Sequence, residues 1–224
     1  MRPTLSRRLV AEAVGAAMLL AAVVGSGIMA ERLAGGNQAI ALLANTVATG
    51  AALVALILAF GPISGAHFNP AVTLADASQG GLAWREAAGY IGAQIGGAVV
   101  GVWSAHAMFQ ERIFMISRHA RSGPAQLFSE FVATFGLLSV IWGCSRRSPA
   151  SVPFAVGAYI TAAYWFTAST SFANPAVTLA RALSDTFAGI RPSDVAPFIV
   201  AQCAGAAAGA LLVRWLAPAS PNAA

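Results

Sequence analysis

The chain has 224 residues, of which 58% are hydrophobic and 9% are charged, and its mean hydropathy is +0.70. Soluble domains carry roughly 25% charged residues, so this composition excludes an ordinary soluble protein and favours one built into a membrane. The net charge of +5 comes from arginines dispersed along the chain, without a basic stripe, so no nucleic-acid partner is expected. Cys144 and Cys203 lie in apolar segments without a metal or redox motif, and we expect neither a metal nor a cofactor.

Six apolar stretches are long enough to cross a bilayer, which takes about 20 helical residues. The first follows a basic start and is similar to a secretory signal, but Glu12 interrupts it and further spans follow, so we expect it to be retained. The predicted spans are Leu9–Ala30, Ile40–Phe60, Trp84–Met108, Leu127–Cys144, Val152–Ala168 and Asp194–Leu216.

Two further apolar segments are too short to span, and both contain the heptapeptide NPAVTLA, at Asn69–Ala75 and again at Asn174–Ala180. Apolar segments of about 10–14 residues are more often buried or re-entrant than spanning. In each copy an Asn precedes a Pro, which is typical of a helix start with Asn as the N-cap and Pro in the first turn. The sequence therefore predicts a short helix that begins at each Asn.

The repetition extends beyond the heptapeptide. Glu12 in the first span has a counterpart in Glu130 of the fourth, and AQIGGA in the third span is echoed by AQCAGA in the sixth. The order of these landmarks indicates a duplication within a single domain, 1–224, with halves of about 1–115 and 116–224. Three spans per half is an odd number, so the second half must enter the membrane from the opposite side. The predicted fold is all-α, with six transmembrane helices and two re-entrant half-helices in an inverted repeat.

Inversion explains why the heptapeptide occurs twice. Two short helices that enter from opposite faces bring their N-termini together near the middle of the membrane, where each exposes unpaired N–H groups and the positive end of a helix dipole. The side-chain oxygens of Asn69 and Asn174 are expected to cap these ends, leaving the amide N–H₂ groups free to donate outward. Such a constriction suits neutral, hydroxyl-bearing solutes and repels cations.

These features resemble the aquaporin, or major intrinsic protein, family, whose hallmark is a pair of Asn-Pro-Ala motifs on opposed half-helices. The resemblance covers the whole chain, and SGAHFNPAVTLA is similar to the first loop of the family almost throughout. It implies a passive channel in a bacterial inner membrane, with both termini cytoplasmic, membrane lipid around it and a homotetrameric assembly. The arginines divide almost evenly between the two sides, so the orientation rests on the resemblance. It also implies that the pore constriction is formed by Asn69, Pro70, Ala71, Asn174, Pro175 and Ala176.

The resemblance also assigns a role to two intramembrane acids, and local contacts are expected for three other polar residues. Glu12 and Glu130 are expected to accept hydrogen bonds from the backbone of the re-entrant loops, in preference to a proton-coupling role. His67, next to the first motif, is expected to line the pore as a polar group. The acid of one half-helix, Asp76, and the arginine of the other, Arg181, are expected to pair with local loops.

One departure from the family pattern concerns selectivity. Most members continue the second motif with an Arg that lines the outer filter, and Val177 stands at that position here. By spacing, Thr49 and Ser171 occupy two other filter positions, and the fourth is either Tyr164 or Ala162. A filter with Thr49 and Val177 lacks both a bulky ring and a charged donor at those positions.

We therefore expect a channel for water and small neutral solutes, including glycerol-like polyols and trihydroxy metalloid acids such as arsenous acid. The alternatives are a strictly water-selective aquaporin and a proton-coupled secondary transporter, which would carry an acid where this chain has Asn. Enzymatic activity is not expected, because His67, His106 and His119 do not form a recognisable catalytic or metal-binding constellation. Close helix crossings are predicted at the GxxxG spacings of Gly92–Gly96, Gly97–Gly101 and Gly205–Gly209.

Overall fold

The structure is a computed structural model that describes residues 3–216, and within that range the regular elements are helices. A single 3₁₀ turn at Pro149–Ser151 precedes α6. The α-helices are α1 Leu5–Leu33, α2 Gln38–Ser64, α3 Pro70–Ser78, α4 Trp84–Phe109, α5 Pro124–Ser145, α6 Val152–Phe166, α7 Pro175–Arg181 and α8 Pro192–Leu216.

Each of the six predicted spans coincides with an α-helix of 15 to 29 residues, and the two heptapeptides begin the shorter helices α3 and α7. By length and apolar composition, α1, α2, α5 and α8 qualify as membrane-crossing helices among the described residues. The other two predicted spans, α4 and α6, do not meet these criteria of length and hydropathy, for different reasons. The helix α6 has 15 residues, and α4 is long but carries Gln94, His106 and several glycines, which lower its hydropathy.

The first repeat is built on α1 and α4, which pack side by side and run parallel. Arg8 near the start of α1 forms a 2.8 Å ion pair with Glu86 at the start of α4. Arg32 near the end of α1 forms a 2.8 Å ion pair with Glu111, which follows α4. Both helices therefore begin at the same end of the molecule, called here the N-terminal end, and they finish at the opposite, distal end.

The second repeat is built in the same way on α5 and α8 but runs in the opposite direction. Arg146, which follows α5, donates to the carbonyl of Val213 near the end of α8 over 3.0 Å. The same guanidinium donates to Gln79, which follows α3 at the N-terminal end, over 3.4 Å. The helices α5 and α8 thus finish where α1 and α4 begin, which confirms the predicted inverted repeat.

Glycines set the closest helix contacts in each repeat. A Cβ at either member of the Gly97–Gly101 pair would overlap backbone atoms of Ala13 or Ala17 on α1. The Gly205–Gly209 pair lies equally close to the backbone of α5. The Gly92–Gly96 pair faces open space, so the crossing predicted there is not made within this chain.

The outer surface of the helices is apolar and the interior is partly polar, the reverse of a soluble protein. Glu12, Gln94, Glu130 and Gln202 are fully buried, at 0% exposure. A continuous apolar exterior of this kind suits contact with lipid or with neighbouring subunits. Large apolar side chains between 52% and 69% exposed include Val10, Met18, Val47, Val100, Phe154 and Val200.

The segment that joins the repeats, 110–123, is called here the inter-repeat linker, and it packs on the distal end of the second repeat. The backbone N–H of Ser117 donates to the carbonyl of Ala182 just after α7, over 2.9 Å. The carbonyl of His119 accepts from the backbone N–H of Arg191 over 2.7 Å. The linker therefore forms part of the distal surface around α7.

Candidate functional site

Each half-helix begins at the Asn that the sequence predicted. The side-chain oxygen of Asn69 accepts from the backbone N–H of Ala71 over 2.9 Å. The side-chain oxygen of Asn174 accepts from the N–H groups of Ala176, over 3.0 Å, and Val177, over 3.3 Å. Both asparagines have extended backbone geometry and precede a Pro in the first helical turn. These are ordinary N-caps, and they satisfy donors that a helix start would otherwise leave unpaired.

The amide nitrogens of the same two asparagines join the repeats. Asn69 Nδ2 donates to the carbonyl of Ala173 over 2.7 Å, and Asn174 Nδ2 donates to the carbonyl of Phe68 over 2.8 Å. The expectation that both amide groups are free to donate outward therefore needs correction. Each –NH₂ group has two hydrogens, and one of them is already used by the opposite repeat.

Both half-helices are reached through loops with unusual backbone geometry, the first re-entrant loop at 65–69 and the second at 167–174. Positive φ angles between 47° and 60° occur at Ala66 and Phe68 and at Thr170, Ser171 and Ala173. Such angles cost a non-glycine residue roughly 1–3 kcal/mol, so the surrounding structure must hold them in place.

Glu12 contacts the first re-entrant loop from the interior of α1. One carboxylate oxygen accepts from Ser64 Oγ over 2.6 Å and from the N–H of His67 over 3.0 Å. The other accepts from the N–H of Phe68 over 2.7 Å and from Gln94 Nε2 over 2.8 Å. Unsatisfied backbone N–H groups at membrane depth are costly, and this carboxylate satisfies two of them.

Glu130 makes the equivalent contacts in the second repeat. Its two oxygens accept from the N–H groups of Phe172 and Ala173, each over 2.9 Å, and from Gln202 Nε2 over 2.6 Å. The same Gln202 nitrogen lies 2.8 Å from the hydroxyl of Thr178 on α7. In the first repeat Gln94 Nε2 likewise lies 2.9 Å from the hydroxyl of Thr73 on α3. The duplication therefore preserves a buried Glu–Gln–Thr network under each loop.

A central cavity of about 260 Å³ passes between the two asparagines. It reaches Trp142 and Ser145 toward the N-terminal end and Tyr164 and Arg181 toward the distal end. Polar or charged lining residues include Thr49, His67, Asn69, Asp76, Ser145, Tyr164, Ser171, Asn174 and Arg181, and apolar ones include Leu19, Val23, Leu53, Ile57, Val72, Val156, Ile160 and Val177.

The four predicted filter positions come together on this cavity. Thr49, Tyr164, Ser171 and Val177 are each no more than 5% exposed and line it. The Tyr164 hydroxyl donates to Thr49 Oγ1 over 3.4 Å. Of the two candidates that spacing left open on α6, Tyr164 faces the cavity, whereas Ala162 is exposed on the outer surface.

The remaining residues of the two Asn-Pro-Ala motifs lie behind the cavity wall. Pro70, Ala71, Pro175 and Ala176 are buried in the first turns of α3 and α7. They pack the two helix starts together, and the asparagines carry the polar groups that face the cavity.

His67 and Asp76 line the cavity toward the N-terminal end. His67 Nδ1 lies 3.1 Å from the hydroxyl of Thr73, and its Nε2 lies 3.7 Å from Asp76 Oδ2. Asp76 thus pairs locally, as the sequence predicted, while remaining in the cavity wall.

The structure adds two arginines to the distal mouth of the cavity. Arg181 lines the cavity; its Nε donates to the carbonyl of Ala188, and its guanidinium carbon lies 3.4 Å from the ring centroid of Phe172. Arg121 extends from the inter-repeat linker, lies 5.0 Å from the same ring centroid and donates to the carbonyl of Gly189 over 2.8 Å. Local pairing of Arg181 was predicted, but its place in the cavity wall was not, and no sequence signal pointed to Arg121.

The part of the chain that the structure describes contains no evident metal-binding site. No group of three or more His, Cys, Asp or Glu side chains there is arranged to hold an ion. Cys144 and Cys203 are free thiols of intermediate burial, on α5 and α8.

Comparison with known proteins assigns the chain to a family. The profile described as Major intrinsic protein matches residues 1–164 and 147–223, which together cover nearly the whole sequence. The chain belongs to the major intrinsic protein family. Family members are membrane channels for water and small solutes, not enzymes, so this major intrinsic protein is a multi-pass membrane channel.

Relatives of this major intrinsic protein occur in bacteria and plants. It is 55% identical over 218 residues to aquaglyceroporin AqpS of Rhizobium meliloti (strain 1021), covering 97% of this chain and 93% of that protein. It is 37% identical over 168 residues to aquaporin NIP1-1 of Oryza sativa subsp. japonica, covering 72% of this chain and 58% of that protein.

A solved structure shares the fold. The X-ray structure of the aquaglyceroporin from Plasmodium falciparum superposes with a TM-score of 0.72 at 21% identity, covering 94% of this chain and 96% of that one. At this identity the likeness concerns the fold, and it agrees with the predicted aquaporin-like architecture.

Proposed function

We propose that this major intrinsic protein conducts small neutral polyols such as glycerol, together with water, and that trihydroxy metalloid acids such as arsenous acid also pass. The observation that carries the proposal is that Thr49 and Val177 both line the cavity at its distal mouth. Neither side chain is a bulky ring or a charged donor. A filter lined by them is wider and less polar at those two positions than one built for water alone.

The rest of the cavity wall suits a polyol. A solute that enters a narrow pore loses water, and hydrogen bonds from the wall must replace those it leaves behind. The hydroxyls of Thr49, Tyr164 and Ser171 and the second amide hydrogens of the two asparagines supply such partners. Apolar side chains such as Val177 and Ile160 face the carbon atoms of the solute.

Two alternatives are less well supported. A proton-coupled transporter is expected to carry an acid at the constriction, where this chain has Asn69 and Asn174. Glu12 and Glu130 lie behind the loops with their oxygens occupied by backbone and glutamine donors. Asp76 does line the cavity, but it lies toward the N-terminal end beside His67, away from the constriction.

A strictly water-selective pore is disfavoured by Thr49, Ser171 and Val177, which are small filter residues beside the larger Tyr164. The 55% identical relative is named an aquaglyceroporin, which also favours a channel for polyols over a strictly water-selective pore.

The setting that accompanies this function is the bacterial inner membrane. Both termini are then cytoplasmic, the N-terminal end faces the cytoplasm, and the distal mouth faces outward. The assembly is a homotetramer in which each subunit contains its own pore, formed by a single domain of two inverted halves. The constriction lies at Asn69 and Asn174, with the Asn-Pro-Ala motifs braced by Glu12 and Glu130.

The test is a panel of fluxes in proteoliposomes, measured by stopped flow for water, glycerol, urea and arsenous acid at equal protein per vesicle. Glycerol and arsenous acid should enter much faster than in empty vesicles, and their rates should not depend on a pH gradient. Fast water with glycerol at the empty-vesicle rate would establish the water-selective alternative. A saturable flux that follows the proton gradient would establish the transporter.

A further inference from the structure

Three arginines are buried among the described residues, and two of them lack an acidic partner. Arg8, Arg121 and Arg181 are 6%, 9% and 2% exposed. Arg8 forms an ion pair with Glu86 at 2.8 Å. Within residues 3–216 no carboxylate oxygen lies within ion-pair distance of the guanidinium of either Arg121 or Arg181. A buried charge without a counterion is costly, and inside membranes such groups mark solute pathways.

The acids near the distal mouth are already engaged. Glu130, which interacts electrostatically with both arginines, accepts from the N–H groups of Phe172 and Ala173 and from Gln202. Asp194 accepts from the guanidinium of Arg191 over 2.9 Å and from the backbone N–H of Arg121 over 2.8 Å. Asp185 accepts from Arg118 over 3.0 Å. Neither aspartate forms an ion pair with the guanidinium of Arg121 or Arg181. Two guanidinium groups therefore remain around the Phe172 ring, and Glu130 offsets only part of their positive charge.

The donors of the two guanidinium groups are used differently. Those of Arg121 reach the carbonyls of Gly189, Ser169 and Phe187 at 2.8, 3.4 and 3.3 Å, which hold it behind the wall. Arg181 uses Nε for the carbonyl of Ala188, and its two terminal nitrogens have no hydrogen-bond partner in the described range although the residue lines the cavity.

A second unpartnered polar group lies on the same cavity. Ser171 is 2% exposed, and its hydroxyl has no hydrogen-bond partner among the described residues. Buried hydroxyls are normally paired, so an unpaired one in a cavity wall is available to water, a ligand or a solute that enters the cavity. Ser171 immediately precedes Phe172, on whose ring the Arg181 guanidinium is stacked.

We propose that Arg181 and Ser171 form a binding site at the distal mouth for a small monovalent oxyanion, with Arg121 strengthening the positive field behind it. The two free guanidinium nitrogens match two oxygens of such an anion side by side, and the Ser171 hydroxyl donates to a third or to one of the two. Arg181 lies one helical turn beyond Val177 on α7. Its charge thereby distinguishes charged from neutral solutes, which the apolar Val177 cannot do. An anion seated there occupies the path of neutral solutes.

The inference rests on the proposed function, because it is measured through glycerol flux. The probe is methanesulfonate, a singly charged oxyanion that does not cross lipid, and its matched control is dimethyl sulfone, a neutral molecule of nearly the same shape. Sodium methanesulfonate replaces sodium chloride on both faces of the vesicles, so orientation does not matter. Methanesulfonate should slow glycerol entry in a saturable manner, and dimethyl sulfone should not.

Variants then identify the residue. Arg181→Gln should raise the half-inhibitory methanesulfonate concentration by at least about tenfold, because the neutral amide of Gln can keep one of the two hydrogen bonds and loses the other. Ser171→Ala should raise it less. Arg112→Gln, which removes an exposed linker arginine, should leave it unchanged. Equal inhibition by the two probes, no inhibition of the unmodified protein, or full inhibition of a folded Arg181→Gln channel would each overturn the proposal.

Two further outcomes are separable. If the unmodified protein carries no glycerol, the proposed function fails, and the site is then judged by thermal unfolding. Methanesulfonate should raise the Tm of the detergent-solubilised protein more than dimethyl sulfone does, and equal shifts would reject the site. If Arg181→Gln does not fold, the comparison of the two probes on the unmodified protein decides the question.

Discussion

Asn69 and Asn174 each donate to the backbone carbonyl that immediately precedes the other, through bonds of 2.7 Å to Ala173 and 2.8 Å to Phe68. Each side chain also caps its own half-helix through its oxygen. Each side-chain amide therefore makes two kinds of contact. Its oxygen accepts from the half-helix of its own repeat, and its nitrogen donates to the loop of the other repeat. An ionised Asp can cap the helix but has no hydrogen to donate, so it cannot reproduce this arrangement.

Replacing Asn69 or Asn174 by Asp should destabilise the protein by about 1–3 kcal/mol, since the cap survives but a buried carbonyl loses its donor and faces a carboxylate. Thermal unfolding in detergent measures the effect. The control is Asn37→Asp at the exposed N-cap of α2, whose side chain only accepts from Ala39 and Ile40. A Tm for Asn174→Asp equal to that of the control would show that the cross-repeat bond contributes nothing.

Replacing Glu12 or Glu130 by Ala should lower folded yield and Tm, because each substitution leaves buried N–H groups unpaired at about 1–3 kcal/mol apiece. Glycerol flux per folded channel should change much less than stability. Glu31→Ala, at an exposed position near the end of α1, is the control and should behave like the unmodified protein. A stable Glu130→Ala protein that has lost only a proton-linked flux would instead identify a transporter.

Replacing Val177 by Arg should slow glycerol and arsenous acid much more than water. The substitution places a long charged donor in the cavity wall that Val177 shares with Thr49, and it narrows the mouth. Val177→Met adds length without charge and separates the steric contribution from the electrostatic one. Paired flux measurements at equal protein per vesicle provide the test, and unchanged glycerol entry through Val177→Arg would show that selectivity is set elsewhere, with Tyr164 as the next candidate.

Replacing Gly97 by Ala should destabilise the protein by about 1–3 kcal/mol, the usual cost of overpacking, because the added Cβ overlaps the backbone of Ala13. Its neighbour offers a matched control. Gly96→Ala adds the same methyl group to the same helix where nothing lies within 4 Å, and it should be neutral or slightly stabilising. Equal Tm values for the two variants would contradict the packing of α4 on α1 described above.

Replacing Arg121 by Gln should raise the pKa of His119 toward its ordinary value. Partial burial lowers that pKa first, and the nearby charges of Arg121 and Arg181 lower it further. Because the folded-state pKa is lowered, the contribution of His119 to stability is present above the ordinary histidine pKa and is lost as the pH falls from that value through the lowered pKa of the folded state. Histidine NMR titration measures the shift, and an unchanged pKa in Arg121→Gln would show that the arginine does not act on this group.

The sequence was most informative where duplication and helix chemistry coincide. The six long helices, the two half-helix starts and the buried positions of Glu12 and Glu130 follow from hydropathy, N-cap signals and repetition. The acceptors of the Asn69 and Asn174 side-chain N–H₂ groups could not be predicted, because they depend on how closely the two re-entrant loops approach each other. The choice of Tyr164 over Ala162 depended on where α6 ends, which spacing alone leaves open by a few residues.

The arginines at the distal mouth were harder to predict for a different reason. Arg181 shares a face of α7 with Val177, one turn away, so helical periodicity could have indicated that both reach the cavity. Arg121 comes from an irregular linker without periodicity or repetition. Its position is set by hydrogen bonds to carbonyls of the segment between α7 and α8, which only the folded chain brings near it.

A duplicated chain contains two copies of everything except the segment that joins them. The inter-repeat linker has no counterpart, and it lies against only one end of the molecule, where it places Arg121 beside Phe172. The middle of the pore is close to two-fold symmetric, but its two entrances cannot be. Joining two halves by a linker therefore makes the two entrances of the pore different. The entrance at the N-terminal end is formed by segments that occur in both halves. The distal entrance also includes the linker, which neither half contains on its own.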